Sequence, residues 1–337
     1  MGTNDSEGPE KRTPGTAAEE GVVAAKRLLC ALHAHGVDYV FANLGTDHAP
    51  LLEAVAALRD AGRGDEVPEF VVCPHEFAAM SAAHGYAVTT GDPQAVLVHV
   101  DVGTQNLGAA MHNAHRANAP VFIIAGLAPV TDDPDQPGSR DNTVHYFQDT
   151  FDQPGIVREY CRWVTEYRPP ADPDDLVVRG LERAAAEEAG PVYVSATREA
   201  LEAPIEADDT RDPYRTVRSS GADAGAVADL AARVAAADRP LVITSDIGRE
   251  PAGESVDALV EFAEAAGAGC VEHTPTTLCF PRDHDLHVGY DPTTVFDDAD
   301  LILLADTDVP WVPKSGEPPE DVPIIQLDHD PTKGAFP

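Results

Sequence analysis

Positive charge is scarce in this chain. Its 337 residues include 58 acidic and only 23 basic side chains, for a formal net charge of −35 at pH 7. Lysine occurs only at Lys11, Lys26, Lys314 and Lys333. Such a surface repels the phosphates of nucleic acids and of anionic membranes, so we expect neither as a partner. It suits a high-salt cytoplasm, where ions screen the self-repulsion, and we therefore expect a halophilic source.

Long apolar segments are absent as well. The longest apolar run, residues 120–127, is far shorter than the ~20 residues that cross a bilayer. Residues 1–15 are polar and rich in Pro and Gly, without the apolar core of a signal peptide, so we expect a disordered tail. None of the five cysteines belongs to a CxxC pair, which favours reduced thiols. These absences predict a cytoplasmic protein.

Several site motifs are also missing. No GxGxxG follows the first predicted strand, no P-loop lysine follows the glycines near position 103, and no GxSxG occurs. His75 and Glu76 could begin an HExxH zinc motif, but Ala79 stands where the second histidine would be. By residue chemistry alone, the chain therefore offers no nucleophile and no metal site.

What remains is a regular alternation of helices and strands. We predict helices at 16–36 (opened by a capping box at 16–19), 50–61, 77–87, 107–116, 176–189, 224–237 and 252–266. We predict strands at 37–44, 70–73, 95–100, 121–125, 191–195, 241–244, 270–272, 301–305 and 324–327. This rhythm predicts an α/β protein with two doubly wound parallel sheets. The first domain spans 16–202, a linker follows at 203–222, and the second domain spans 223–337.

One glutamate stands out in this pattern. Glu76 lies between the apolar strand at 70–73 and a helix of small residues that we expect to close at Gly85 and Tyr86. Ligands of parallel α/β sheets bind at the carboxyl ends of the strands, where a partly buried carboxylate can share a proton with a ligand. A plain alternative is that Glu76 caps the helix, whose N-terminus favours negative charge.

The stretch VVCPHEFAAMSAAHGYAVTTGDPQAVLVHVDVGTQNLGAAMHNAHRANAPVFIIAG, at 71–126, resembles the pyrimidine-binding (PYR) domain of thiamine diphosphate enzymes related to acetolactate synthase. It has the His-Glu pair, the small-residue helix ending in Gly-Tyr-Ala, the Gly-x-x-Asn turn and the strand ending in Ala-Gly, in that order. The resemblance continues through HYFQDTFDQ at 145–153 and DADLILLADTDVPWVP at 298–313. It covers roughly 18–337 and implies a PYR domain followed by a Rossmann-like middle domain.

The resemblance implies a role for Glu76 in catalysis. In that family the matching glutamate hydrogen-bonds N1′ of the cofactor's aminopyrimidine and favours the tautomer whose 4′-nitrogen deprotonates C2 of the thiazolium. The cofactor then takes up the electrons released when a 2-keto acid loses carbon dioxide. Further positions resemble family loops that line cofactor or substrate, with a purely structural turn as the alternative for each: Gly45, Thr46, Gly103, Thr104, Asn106 and Gln148.

Three departures shape the expected function. The family's Gly-Pro-Gly-x-x-Asn turn reads DVGTQN here at 101–106, which leaves the choice of 2-keto acid open. The flavin-associated Gly-x-Arg-Phe-Asp-Asp-Arg segment is replaced by DTDVPW at 306–311, which argues against FAD. No diphosphate-binding (PP) domain with its Gly-Asp-Gly and Asn motif is present, so Mg²⁺ and the diphosphate would be held by a partner.

We therefore expect the PYR and middle half of a thiamine diphosphate-dependent 2-keto-acid decarboxylase or carboligase, completed by a PP domain on another chain. The resemblance also implies a homodimer formed through the PYR domains. Two alternatives stay open. One is a catalytically silent, truncated homologue that retains dimerisation, and the other is a nucleotide-binding module built on the second domain.

Overall fold

The computed structural model describes residues 22–186, 188–206, 221–250 and 253–330. Within these ranges the chain forms two α/β units, each built on a parallel sheet, as the sequence predicts. The tail at 1–15, the capping box at 16–19 and most of the predicted linker lie outside the described residues.

The first unit contains eight strands and seven helices among the described residues. In chain order they are β1 (Val22–Val23), α1 (Ala24–Ala34), β2 (Tyr39–Ala42), α2 (Ala49–Asp60), β3 (Glu69–Val72), α3 (Glu76–Thr90), β4 (Gln94–Val98), α4 (Val102–Arg116), β5 (Val121–Leu127), α5 (Val144–Phe147), β6 (Trp163–Glu166), α6 (Pro173–Ala184), β7 (Pro191–Thr197), α7 (Arg198–Glu202) and β8 (Pro204–Ile205).

Six of these strands form one parallel sheet in the order β3-β2-β4-β5-β7-β6. Its central strands β4 and β7 are buried along their whole length, as expected for strands covered on both faces. Helices α1, α2 and α6 pack on one face, and α3 and α4 on the other. Alanines at 79, 83 and 87 let α3 lie close to its neighbours. The short strands β1 and β8 pair with each other.

The second unit follows in the order α8 (Ala224–Ala236), β9 (Pro240–Thr244), α9 (Glu254–Ala266), β10 (Gly269–Glu272), β11 (His287–Gly289), β12 (Leu301–Ala305) and β13 (Ile324–Leu327). Its parallel sheet runs β11-β10-β9-β12-β13, the 3-2-1-4-5 order of a Rossmann-like fold. Arg116 at the end of α4 forms an ion pair of 2.7 Å with Asp308, which follows β12.

Several details differ from the sequence prediction. Strands β1, β6, β8 and β11 are missed, because β6 is a half-exposed edge strand and the other three have only two or three residues each. The predicted turn at 103–106 is wrong: these residues are the first turns of α4, which bends at Gly108 (φ +26°). Helix α3 continues past Gly85 and Tyr86 to Thr90, and Gly91 ends it in the left-handed conformation (φ +81°). Within the described ranges, no helix combines the length and apolarity needed to cross a bilayer.

Candidate functional site

Glu76 is the first residue of α3 and lies at the carboxyl edge of the first sheet. The residue is buried, with 6% of its surface exposed. It does not cap the helix: the ring of His75 does so, since its Nδ1 accepts a hydrogen bond of 3.1 Å from the backbone N–H of Phe77. His75 therefore makes the side-chain cap, while Glu76 lies in the first turn of α3, where the helix N-terminus favours its negative charge as the plain alternative expects.

The start of α4 provides the other wall of this site. Asn106 Nδ2 donates a hydrogen bond of 3.0 Å to Glu76 Oε2. A Cβ at Gly103 would lie 3.3 Å from Glu76 Oε1 and 3.1 Å from the Cβ of His99, tighter than side chains ordinarily tolerate. Among the described residues, Oε1 accepts no hydrogen bond. One carboxylate oxygen is thus fixed by Asn106, and the other is left for a ligand.

A pair of titratable side chains, Asp47 and His99, lies beside Glu76 on the other side of Gly103. Asp47, only 2% exposed, contacts the Nδ1 atom of His99 through its Oδ1 atom. The hydrogen bond to Asp47 raises the pKa of His99, against the effect of burial, and the charge of Glu76 adds to the rise. The contact with Asp47 therefore favours the protonated form of His99.

The neighbouring His48 behaves oppositely. Its Nδ1 accepts a hydrogen bond of 3.0 Å from the N–H of Gly45, so Nε2 carries the hydrogen and donates to the carbonyl of Val98 at 2.9 Å. Burial lowers the pKa of His48, even though Asp47 opposes the shift. His48 is thus a neutral structural histidine that ties the loop after β2 to the end of β4.

A buried hydrogen-bond network centred on Gln153 lies next to the site. Gln153, 3% exposed, donates through Nε2 to the carbonyl of Gly126 at 2.7 Å and to the hydroxyl of Tyr193 at 2.9 Å. Its Oε1 accepts from the N–H of Asp101 at 2.8 Å, just before α4. Burial raises the pKa of Tyr193 to about 12. This glutamine holds the loop before β6 against the start of α4.

The structure groups some of the predicted site residues and separates others. Gly103 and Asn106 contact Glu76, and Gly45 packs against Asp47 and His99. Gln148 is half-buried and its side chain helps to stabilise the charged form of His99. The hydroxyl of Thr104 points instead to Tyr193, at 2.8 Å, and Thr46 is exposed. A direct cofactor contact by Thr46 or Thr104 stays a prediction, and the geometry of Thr104 favours its structural alternative.

Sequence reasoning missed four residues of this site: Asp47, His99, Gly126 and Gln153. A signal for two of them is present, because Asp47 follows β2 and His99 follows β4 directly, so both lie at the carboxyl edge where Glu76 lies. Gly126 and Gln153 lie in motifs that carry the resemblance, but their contacts depend on which side chains reach them across the sheet.

The second sheet ends in acidic groups. Within the part of the chain that the structure describes, one set of three side chains has ligand atoms within 4.8 Å of one another: Asp306, Asp328 and His329, which follow β12 and β13. The three residues are half-buried, and Arg249 Nη2 lies 3.8 Å from Asp306 Oδ1, so a positive charge is already near this set. The prediction that FAD is not bound stays a prediction.

Comparison with known proteins agrees with this geometry. Residues 23–156 match the family described as thiamine pyrophosphate enzyme, N-terminal TPP binding domain. A probable 2-ketoarginine decarboxylase of Pseudomonas aeruginosa is 28% identical over 94% of this chain and 54% of its own length. An acetolactate synthase of Arthrospira platensis is 31% identical over 33% of this chain and 19% of its own length. The crystal structure of benzoylformate decarboxylase from Polynucleobacter necessarius superimposes with a TM-score of 0.76 at 22% identity, covering 94% of this chain and 57% of that one.

Residues 23–156, which include Glu76, match the N-terminal TPP binding domain of thiamine pyrophosphate enzymes, and most of the chain is similar to thiamine diphosphate-dependent enzymes. The resemblance noted in the sequence is confirmed, both in sequence and in fold. The chain spans about half the length of the first of these relatives.

Proposed function

We propose that the first domain binds the aminopyrimidine of thiamine diphosphate through Glu76, and that the assembled protein acts on 2-keto acids as a decarboxylase or carboligase. One observation carries this proposal: Glu76 is buried at the carboxyl edge of the sheet, with Oε2 held by Asn106 and Oε1 facing the side-chain-free surface of Gly103. A relative that matches 94% of this chain, a probable 2-ketoarginine decarboxylase, supports the substrate class.

The residues present fit the pyrimidine half of the cofactor. A buried carboxylic group in hydrogen-bond reach of a ring nitrogen can hold the proton that the nitrogen needs, and Gly103 leaves room for a flat ring. The bound cofactor supplies the electron sink for decarboxylation. Glu76 holds the proton at the ring nitrogen, Asn106 orients Glu76, and Gln148 with the start of α4 shapes the pocket.

We further propose that the diphosphate and its Mg²⁺ are held by a PP domain on another chain, and that PYR domains pair as a homodimer. The charge near Glu76 supports this: Asp47 and Glu76 face the site, and an anionic diphosphate needs cations or helix N-termini aimed at it. Five large apolar side chains around the site are exposed: Val72, Phe77, Val102, Phe147 and Phe151. An exposed apolar surface of this kind is typical of a contact with another protein.

The test is carbon dioxide release from pyruvate, benzoylformate and 2-ketoarginine at high salt, with thiamine diphosphate and Mg²⁺ added. The chain is co-expressed with the PP-domain protein encoded nearest to it. We expect turnover that Glu76→Gln abolishes and that Glu69→Gln, an exposed glutamate on β3, leaves unchanged. Turnover by Glu76→Gln equal to that of the unaltered protein would overturn the assignment of Glu76.

A further inference from the structure

The turn before α4 holds an aspartate in a conformation that few residues adopt. Asp101 has φ +42° and ψ −85°, outside the regions that residues with a Cβ ordinarily occupy. Glycine takes a positive φ with less strain, and the Gly-Pro-Gly-x-x-Asn turn that residues 101–106 resemble has glycine at this position. Asp101 is therefore strained, and the surrounding structure must hold it in place.

Three hydrogen bonds hold Asp101 in this conformation. Its N–H donates to Gln153 Oε1 at 2.8 Å, and its carbonyl accepts from the N–H of Gln105 at 2.9 Å. Its Oδ1 accepts from Gln105 Nε2 at 2.7 Å. Two of the three bonds thus come from the first turn of α4 itself. The bond with Gln153 is the one that ties Asp101 to another part of the chain.

Gln153 is fixed at both ends of its side-chain amide. A backbone N–H can only donate and a carbonyl can only accept, so Oε1 must face Asp101 and Nε2 must face Gly126. Nε2 also donates to the hydroxyl of Tyr193 at 2.9 Å. Gly126 and Tyr193 belong to β5 and β7, two neighbouring buried strands of the first sheet. Gln153 thus anchors the strained turn to the core of this sheet.

The turn at Asp101 sets where the residues after it meet Glu76. Gly103 lies two positions further on, with its side-chain-free surface toward Oε1. Asn106 lies five positions further on and donates to Oε2 at 3.0 Å. If Asp101 relaxed to a negative φ, the backbone that follows it would rotate about the N–Cα bond, and both contacts with Glu76 would move.

We propose that Gln153 is a positioning residue for Glu76 and acts through the strained turn at Asp101. By holding Asp101 at positive φ, it keeps Gly103 and Asn106 against the two carboxylate oxygens. The inference deepens the proposed function and rests on it for the task of Glu76. Gln153 is 3% exposed and acts without touching a ligand.

The experiment compares Asp101→Gly with Asp101→Ala in the full chain at high salt, without thiamine diphosphate. Both variants lose the carboxylate of Asp101, and they differ in their tolerance of a positive φ. NMR measures how fast the side-chain amide protons of Asn106 exchange with solvent. We expect at least about tenfold faster exchange in Asp101→Ala than in Asp101→Gly, the factor that one hydrogen bond to a charged group is worth. Equal exchange in the two variants would overturn the proposal.

A second pair of variants tests Gln153 itself. Gln153→Met removes its hydrogen bonds at similar side-chain length, and Gln136→Met, at an exposed glutamine, is the matched control. We expect faster exchange at Asn106 in Gln153→Met and an unchanged rate in the control. Adding Asp101→Gly to Gln153→Met should bring the rate back toward that of the unaltered protein, since glycine adopts the turn with less support. An exchange rate that this addition does not slow would leave Gln153 a purely structural role and contradict the proposal.

Turnover connects this contact to the proposed function. In the assembled protein, Asp101→Ala should release carbon dioxide up to about 100-fold more slowly than Asp101→Gly, as expected when a catalytic group is misplaced by about 1 Å. Circular dichroism confirms that each variant is folded. Equal turnover of the two variants would show that the turn does not position Glu76 for catalysis. Full activity of Glu76→Gln would instead refute the proposed role of Glu76, and the exchange rates, measured without cofactor, would be unaffected.

Discussion

Asn106 donates a hydrogen bond of 3.0 Å to Glu76 and so joins the first turn of α4 to the first turn of α3. The two residues are 30 positions apart in the chain, and strand β4 lies between them. Because the carboxylate of Glu76 is buried, the hydrogen bond from Asn106 offsets part of the free energy that its burial costs.

Asn106→Ala should therefore destabilise the protein by about 1–3 kcal/mol, since it leaves a buried carboxylate without its partner. The measurement is chemical denaturation at high salt. Asn113→Ala, on an exposed part of the same helix, is the control and should change little. An Asn106→Ala variant as stable as the control would show that Glu76 finds another donor.

Gly126→Ala should destabilise the fold by at least about 1–3 kcal/mol, because the added Cβ would overlap with Asp47. Gly85→Ala is the matched control. No heavy atom lies within 4 Å of its added Cβ, and Gly85 is inside α3, so alanine should stabilise the protein by about 0.5–1 kcal/mol. Melting temperatures of the two variants should move in opposite directions. A shared direction would contradict the close packing at Gly126.

Glu272→Ala should be the most damaging single change in the second domain. Glu272 is 1% exposed, accepts hydrogen bonds from the N–H groups of Cys279 and Phe280, and pairs with His287 at 3.0 Å. Removing one partner of a buried pair costs about 3–5 kcal/mol.

The loss is measured by denaturation, with Glu264→Ala, an exposed glutamate on α9, as the control. Similar stability of the two variants would mean that the crossover from β10 to β11 does not depend on Glu272.

The contribution of His99 to stability should depend on pH. The pKa of His99 in the folded state is raised above its ordinary value of 6.5. The native state therefore binds a proton more tightly than the unfolded state, and the stabilisation is complete below pH 6.5. It is lost as the pH rises through the folded-state pKa.

The stability difference between the unaltered protein and His99→Gln should accordingly be largest in mild acid and shrink in alkali. Unfolding free energies across this pH range measure it. A difference that grows with pH would have the wrong sign for a raised pKa.

Salt should stabilise the whole protein. With a net charge of −35, repulsion between surface carboxylates opposes the compact state, and added KCl screens it. Each kcal/mol of repulsion removed should raise the melting temperature by about 2–4 °C. Thermal scans at increasing KCl measure the effect. A melting temperature independent of salt would contradict the expectation of a halophilic source.

Much of the fold could be predicted from the chain alone. Apolar strand runs and helical spacing located most core elements, because burial on both faces of a parallel sheet demands continuous apolar residues. The missed strands lack that signature: β6 is a half-exposed edge, and β1, β8 and β11 are too short to show a period. The first turns of α4 were missed because the Asp, Gly and Asn residues at 101–106 also favour a turn.

The sequence by itself determined the resemblance to thiamine diphosphate enzymes, the alternation of helices and strands, and the place of Glu76 at the end of a strand, because these depend on local pattern and on ordered motifs. Only the tertiary structure decided that His75 rather than Glu76 caps α3, that Thr104 points to Tyr193, and that Asp47 meets His99. Asp47 and His99 are 52 residues apart, and they meet because parallel strands bring their carboxyl ends to one edge, with glycine on either side. Such contacts depend on strand order and on the space beside each side chain, and the spacing of residues along the chain predicts neither.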